Sequence, residues 1–251
     1  MLAGKIGPLL GPRTHDGGAA TTDAACVALR MHGWERFSSA SGILFVVLLY
    51  TGAILADTTV LKEMPEPSRD ASGTQLANYF AASRFALLVG GYIGSMAAVC
   101  LVFFVASLWR LLRAAEGSPG VISGIAFGAG ILTAGLLLAG GGPGAAALQP
   151  ARPIDPVEAL TLRHISFGLL QRSWFTSGAL LGASALVGLR TGALPRWLAW
   201  LGAVTASALF AVPLVLAAAP IWGGWVFVQA LFLLWIAVAS VVLVRRPSAT
   251  R

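Results

Sequence analysis

Six long apolar segments, separated by short connections rich in polar residues, proline or glycine, constrain the fold of this chain more than any other feature. Each is about 20 residues long, the length that an α-helix needs to cross a hydrocarbon core about 30 Å thick. Because lipid offers no hydrogen-bond partners, the backbone of such a segment is satisfied only in a helix or a closed barrel. A barrel needs many alternating segments of about ten residues, and the sequence lacks that pattern.

Composition supports the same class of protein. Hydrophobic residues make up 57% of the chain and charged residues 11%, and the mean hydropathy is +0.81. Soluble domains carry about 25% charged residues, so a chain with so few must leave much of its surface in lipid. The sequence therefore predicts an all-α fold, a polytopic transmembrane helix bundle with about six transmembrane helices. The predicted spans are residues 37–56, 84–108, 121–141, 167–189, 197–219 and 221–244.

The chain divides into three parts. Residues 1–33 contain charged residues and lack the apolar core of a secretory signal peptide, so we expect a poorly ordered cytoplasmic arm. Residues 34–246 are expected to form the six-helix transmembrane domain, and residues 247–251 a short cytoplasmic tail.

The distribution of basic residues predicts the orientation. The chain has 17 Lys and Arg residues and a net charge of +7. With the N-terminus inside, eleven of the 17 lie in cytoplasmic segments, and Arg190 and Arg196 flank one tight cytoplasmic turn. Because positive charges favour the cytoplasmic side, we expect both termini in the cytoplasm of a multi-pass plasma-membrane protein. The basic excess suits topology and anionic lipid head groups, and we expect no nucleic acid as a partner.

The fourth predicted span belongs to a longer helix. Asp155 can cap its start, Pro156 suits the first helical position, and Glu158 lies three residues after the cap. No proline follows before Leu189, so the helix is about 50 Å long and exceeds the hydrocarbon core. In the first outer loop, residues 57–83, the stretch 75–83 is also helix-like.

At 100° per residue, polar residues and glycines of this long helix fall within one arc. Polar and small residues in lipid favour contact with other helices. We therefore expect the arc to face protein and the helix to lie near the centre of the bundle. The arc consists of Thr161, His164, Gly168, Gln171, Arg172, Phe175, Gly178 and Gly182.

Four polar residues are predicted to lie on the outer side of the membrane as a candidate ligand-binding cluster. Arg172 follows the helix start too closely to lie at mid-membrane, yet it sits too deep to be freely solvated. We expect it to turn toward the bundle, where protein or water can satisfy it. The alternatives are snorkelling to the interface and an ion pair with an outer-loop acid. The cluster consists of Arg84, His164, Gln171 and Arg172.

Three pairs of glycines, four residues apart, are candidates for close helix packing. Small residues at this spacing allow two helix backbones to approach each other. We expect these contacts within the chain, and the alternative is a face for a homodimer or for another membrane protein. The pairs are Gly90 with Gly94, Gly124 with Gly128, and Gly178 with Gly182.

The sequence offers no catalytic or metal-binding constellation. The predicted spans contain no Asp or Glu, which argues against a proton relay. His164 is the single histidine outside the N-terminal arm, and one histidine cannot complete a zinc or paired haem site. No histidine after it can serve as the base that a membrane serine nucleophile needs. We expect no enzymatic activity, no catalytic residues, no metal and no cofactor.

Three segments at predicted membrane interfaces carry a resemblance to a known family. They are residues 107–113 (SLWRLLR), residues 194–202 (LPRWLAWLG), and the terminal pair Arg245 and Arg246. They resemble a domain-of-unknown-function family of small six-helix integral membrane proteins from bacteria, of the actinobacterial type. The resemblance extends over about residues 34–246. It implies the six-helix layout, and it supplies no activity and no catalytic residues.

These features favour a non-enzymatic plasma-membrane protein with an accessory or sensory role, in contact with membrane lipids. The alternative is a transporter or binding protein for a small molecule or an anion, with a cavity in the outer half of the bundle. The lack of acidic residues in the spans favours the first hypothesis. A cavity lined by Arg84, Gln171 and Arg172 would favour the second.

Overall fold

The computed structural model describes residues 37–55, 67, 71–147, 154–218 and 224–245. The predicted N-terminal arm and C-terminal tail lie outside the described residues. The described residues form α-helices, and none of them lies in a strand. The helices are α1 (Phe37–Leu55), α2 (Gly73–Ala82), α3 (Arg84–Glu116), α4 (Val121–Ala147), α5 (Pro156–Thr191), α6 (Arg196–Ala218) and α7 (Gly224–Arg245).

Five of these helices are long and apolar enough to cross a membrane. They are α1, α3, α4, α6 and α7, and α5 is not among them. The prediction of an all-α, polytopic helix bundle is confirmed, and the chain is a multi-pass membrane protein. The helices agree closely with the predicted spans, except that α3 continues past residue 108 to Glu116 and α4 past residue 141 to Ala147.

The start of α5 follows from local chemistry, as predicted, and a glycine sets its end. The Asp155 carboxylate accepts hydrogen bonds from the backbone N–H of Val157 at 2.8 Å and of Glu158 at 3.4 Å. These bonds satisfy two of the donors that every helix start leaves unpaired. At the other end, Gly192 adopts a left-handed conformation with φ 71°, which glycine enters without steric cost. The helix therefore has 36 residues, about 54 Å at 1.5 Å per residue.

The helix-like stretch predicted in the first outer loop is α2. Ser72 and Gln75 form a reciprocal cap: the Gln75 backbone N–H donates to the Ser72 hydroxyl, and the Ser72 N–H donates to the Gln75 side chain. The helix contacts α5 and buries Leu76 and Tyr79. At Gly73, any side chain would overlap the carbonyl group of Pro156. The starts of α2 and α5 therefore touch through their backbones.

The central position predicted for α5 is confirmed, since it contacts α2, α3, α4 and α6. It runs antiparallel to α4, where Thr176 meets Thr133 and Leu170 meets Gly140. It is also antiparallel to α6, because Gly188 lies against the start of α6 and Gly178 lies against Phe210 further along. The two registers place α5 lengthwise between two apolar helices.

Serine hydroxyls attach α1 to the bundle. The Ser38 hydroxyl donates to the Phe103 carbonyl at 2.8 Å and lies 2.5 Å from the Ser107 hydroxyl, both on α3. The Ser240 hydroxyl of α7 donates to the carbonyl of Ser39 on α1. Hydrogen bonds between helices satisfy polar groups where water is absent. This serine cluster (Ser38, Ser39, Ser107 and Ser240) fixes α1 against α3 and α7.

The turn between α3 and α4 is held by one carboxylate. Glu116 accepts hydrogen bonds from the backbone N–H of Ile122 at 2.9 Å and of Ser123 at 2.7 Å. A negative charge at a helix start also interacts favourably with the helix dipole. The Arg113 guanidinium donates to the Gly117 carbonyl in the same turn. Glu116 therefore acts as a structural cap.

A buried tryptophan joins α6 to α7. The Trp235 side chain is fully buried, and its indole N–H donates to the Leu198 carbonyl at 2.9 Å. Gly202 leaves the space for the ring, since a Cβ there would lie 2.8 Å from the indole nitrogen. The contact depends on glycine because real Cβ atoms do not approach a ring atom that closely.

We expect Gly202→Ala to destabilise the protein by about 1–3 kcal/mol, because the added methyl group overpacks the Trp235 contact. The measurement is thermal unfolding of the purified chain in one detergent. Gly135→Ala is the matched control, because Gly135 is exposed and no described atom lies within 4 Å of a Cβ there. Equal melting temperatures for the two variants would show that the indole does not depend on Gly202.

Candidate functional site

The polar arc predicted on α5 has two parts with different surroundings. Towards the start of the helix, His164 and Arg172 are exposed, and Gly168 and Gln171 are half-buried. The expectation that this part faces protein, with Arg172 turned toward the bundle, is wrong. We call this part the outer polar strip; it comprises Thr161, His164, Gly168, Gln171 and Arg172.

The buried face of α5 is a different one, formed by serines, leucines and Trp174. The Ser173 hydroxyl donates to the Leu170 carbonyl at 2.6 Å, and the Ser184 hydroxyl donates to the Leu180 carbonyl at 2.7 Å. A serine thus satisfies its only donor on its own helix and can be buried at small cost. A guanidinium has five N–H donors and a charge, which an apolar neighbour cannot satisfy. Arg172 therefore lies on the outside of the bundle.

The Arg172 side chain lies along its own helix. One guanidinium nitrogen, Nη1, donates to the Gly168 carbonyl at 3.0 Å. A Cβ at position 168 would lie 3.4 Å from that nitrogen, so glycine leaves room for the guanidinium over the backbone. The side chain extends toward the start of α5. Its guanidinium therefore lies about one turn nearer the helix start than the Arg172 backbone does.

The structure does not bring the four predicted ligand-binding residues together. His164, Gln171 and Arg172 share the outer polar strip, whereas Arg84 is half-buried at the start of α3. Among the described residues, no hydrogen bond or ion pair joins any two of these four side chains. Next to Arg84, the Ser83 hydroxyl is buried and forms no hydrogen bond within the part of the chain that the structure describes.

Members of two of the three predicted glycine pairs lie against other helices. A Cβ at Gly52 of α1 would lie 3.0 Å from the Gly90 carbonyl oxygen and 3.3 Å from the Gly94 nitrogen of α3. A Cβ at Gly178 or at Gly182 would lie 3.1 Å and 3.7 Å, respectively, from side chains of α6. Gly178 and Gly182 therefore lie against α6, and the Gly90 carbonyl lies against Gly52, whereas a Cβ at Gly94 would meet no described atom within 4 Å. The packing role of these glycines stays a prediction.

The third pair, Gly124 and Gly128, has no packing contact among the described residues. Both are exposed on α4, and a Cβ at either would meet no described atom within 4 Å. The expected contact within the chain is therefore not found for this pair in the part of the chain that the structure describes. Instead, α4 approaches its neighbours through Gly130, whose Cβ would lie 2.6 Å from Val105, and through Gly140, whose Cβ would lie 2.9 Å from Leu170.

Hydroxyl groups that were not among the predicted site residues join α4 to α5. The Thr133 hydroxyl donates to that of Thr176 at 2.8 Å, and the Thr176 hydroxyl donates to the Ser173 carbonyl at 3.0 Å. A signal was present, since Ser173, Ser177 and Ser184 recur at spacings of four and seven residues, which places them on one helix face. We call this set the hydroxyl seam: Thr133, Ser173, Thr176, Ser177 and Ser184.

The chemistry available in the bundle is that of hydroxyl groups. The buried polar side chains of the described residues are serines and threonines. Cys100 is a buried free thiol. Within the described ranges, no three His, Cys, Asp or Glu side chains are close enough to hold a metal ion. Among the described residues, the buried polar side chains include no Asp, Glu, His or Lys that could activate a hydroxyl as a nucleophile.

Comparisons with models of protein families, with curated proteins and with solved structures find no match to this chain. The resemblance to a family of six-helix bacterial membrane proteins therefore stays a prediction.

We expect Thr133→Val and Thr176→Val to be coupled in a double-mutant cycle of unfolding free energy. Hydrogen bonds between membrane helices contribute about 0.6 kcal/mol on average, so the coupling should be of that size. The control pairs Thr133→Val with Ser207→Ala, because the exposed Ser207 hydroxyl bonds only to its own helix at Ala203. Strict additivity in the first cycle, measured in the same detergent, would contradict the hydroxyl seam.

Proposed function

We propose that the chain is a six-span protein of the plasma membrane, with both termini in the cytoplasm and a non-enzymatic accessory or sensory role. The first support is the position of α5. It lies antiparallel alongside α4 and α6, and both of these helices qualify as membrane spans. A helix packed along two spans must cross the bilayer with them. Its part from Ser173 to Leu189 contains no charged residue.

The second support is the distribution of arginines. Because neighbouring helices are antiparallel, the end of α3 and the turn between α5 and α6 belong to the same side of the membrane. Arg110 and Arg113 lie at the first, and Arg190 and Arg196 flank the second. Arg245 ends α7 on that side as well. Short segments rich in arginine favour the cytoplasmic side.

The observation that carries the non-enzymatic role is the chemistry of the buried polar groups. They are serines and threonines, whose hydroxyls neither gain nor lose protons near neutral pH. The serine cluster, and the pair Thr133 and Thr176, use them for hydrogen bonds between helices. Such a bundle suits a protein that acts by contacting lipids and other membrane proteins. The exposed pair Gly124 and Gly128 on α4 is the face we propose for a second copy or another membrane protein.

The alternative role, binding or transport of a small molecule or an anion, rests on one observation. Arg172 uses one nitrogen for the Gly168 carbonyl and is otherwise exposed. Because it lies outside the bundle, binding would take place on the outer surface of α5. This differs from the predicted cavity inside the outer half of the bundle.

The topology is tested with reporter fusions at successive positions. We expect fusions after Arg113, Arg190 and Arg246 to report the cytoplasm, and fusions after Ser68 and Pro150 to report the outside. The fusions after Pro150 and Arg190 decide whether α5 crosses the membrane, because they flank it. The same location for both would exclude α5 as a span.

The partner face is tested by disulfide cross-linking in native membranes. In a background with Cys26→Ser and Cys100→Ala, we expect Gly128→Cys to give a disulfide-linked dimer under mild oxidation, because small residues allow two backbones to approach. Leu214→Cys is the control, since Leu214 is a large, 74% exposed side chain on α6. Equal cross-linking at the two positions would mean random collisions and would contradict this face.

A further inference from the structure

We propose that the outer polar strip of α5 binds the phosphate of an anionic phospholipid in the outer leaflet, with Arg172 as the principal contact. The inference rests on the proposed six-span topology, which sets the depth of α5 in the bilayer. The partner is one lipid class, and the contact lies on the outside of the bundle.

The depth of Arg172 follows from helix geometry. Arg190 lies at the proposed cytoplasmic end of α5, and the 18 residues from there to Arg172 span about 27 Å. A hydrocarbon core about 30 Å thick therefore ends close to Arg172 on the outer side. The position of Trp174 agrees with this depth in the membrane. Its ring stacks on that of Trp225, at the start of α7, with ring centroids 6.1 Å apart. Tryptophans are enriched at membrane interfaces.

The Arg172 guanidinium is available to bind a phosphate at this depth in the membrane. Arg172 is exposed, and its one described hydrogen bond goes from Nη1 to the Gly168 carbonyl. That bond also directs the side chain outward, away from the hydrocarbon core. The remaining donors form a planar fork that matches a phosphate in a bidentate arrangement. The glycine beneath leaves the approach to the fork open.

The surroundings of Arg172 fit a lipid molecule better than a soluble anion. Phe175, about one turn to the membrane side of Arg172, is 45% exposed. This apolar side chain can contact an acyl chain while the phosphate meets the guanidinium. A soluble anion would make no use of it.

Charge favours an anionic over a zwitterionic headgroup. Arg172 carries the one full charge of the outer polar strip, which contains no acidic residue. A zwitterionic lipid would bring its own cationic group close to this guanidinium. Basic residues near a surface of anionic lipids each contribute about 1 kcal/mol of attraction.

The experiment uses the full chain, purified in a neutral detergent, and compares added phosphatidylglycerol with phosphatidylcholine. We expect phosphatidylglycerol to raise the melting temperature by about 5 °C more, as ligand binding to the folded state does at saturation. Arg172→Gln should abolish this difference, and Arg172→Lys should retain part of it, because a lysine keeps the charge without the fork. Arg163→Gln, on another face of the same helix, is the control and should retain the difference.

Lipid retention gives a second measurement. We expect native mass spectrometry to detect phosphatidylglycerol on the wild-type chain and an apparent affinity about fivefold weaker for Arg172→Gln, the loss expected for one basic contact. Three results would overturn the inference. In the first, Arg172→Gln keeps the lipid-specific difference. In the second, the variant loses stability equally in both lipids, which would indicate an acidic partner within the chain. In the third, inorganic phosphate gives the same stabilisation, which would indicate a soluble anion.

The lipid test and the topology test fail independently. The melting experiment in detergent does not depend on which side of the membrane the strip occupies. A reversed reporter result with an intact lipid effect would therefore overturn only the proposed topology. An absent lipid effect with the expected reporter result would overturn only the lipid site.

Discussion

The hydrocarbon around the bundle offers no hydrogen-bond partners, and this is the constraint on which the rest of the structure depends. Polar groups inside the bundle find partners in the protein in two ways. Ser184 donates to a carbonyl of its own helix, whereas Thr133 and Ser38 reach groups on a neighbouring helix. Both ways need short side chains. Short side chains also let helices approach closely, so hydrogen bonding and packing select the same residue types along α1, α4 and α5.

This constraint explains how the most polar long helix lies at the centre. The hydroxyls on the buried face of α5 are satisfied locally, so their burial costs little. The longer polar side chains of the same helix, such as Arg172 and His164, lie on its exposed face. The helix thus buries short hydroxyl side chains and exposes longer polar ones.

Local chemistry made the helices and their ends predictable. Asp155 before Pro156 sets the start of α5, and Gly192 ends it. The orientation of a helix about its axis was less accessible. Both the Ser173 face and the Arg172 face are polar, so periodicity alone cannot say which one is buried. Glycine spacing has the same weakness: the pair at Gly124 and Gly128 resembles the others in sequence. Which glycine packs depends on where Val105 or Leu170 protrudes from a neighbouring helix.

The division of α5 into two polar faces has a consequence for how its residues act. Thr176 bonds to Thr133 of α4, so a change there acts on a contact between helices. The described hydrogen bond of Arg172 goes to the backbone of its own helix, and its removal leaves the hydrogen bonds between helices intact. Substitutions in the outer polar strip can therefore change which lipid or other ligand binds there without changing the packing of the bundle. That independence makes the outer face of α5 the place where a binding specificity can be altered at the least cost to the fold.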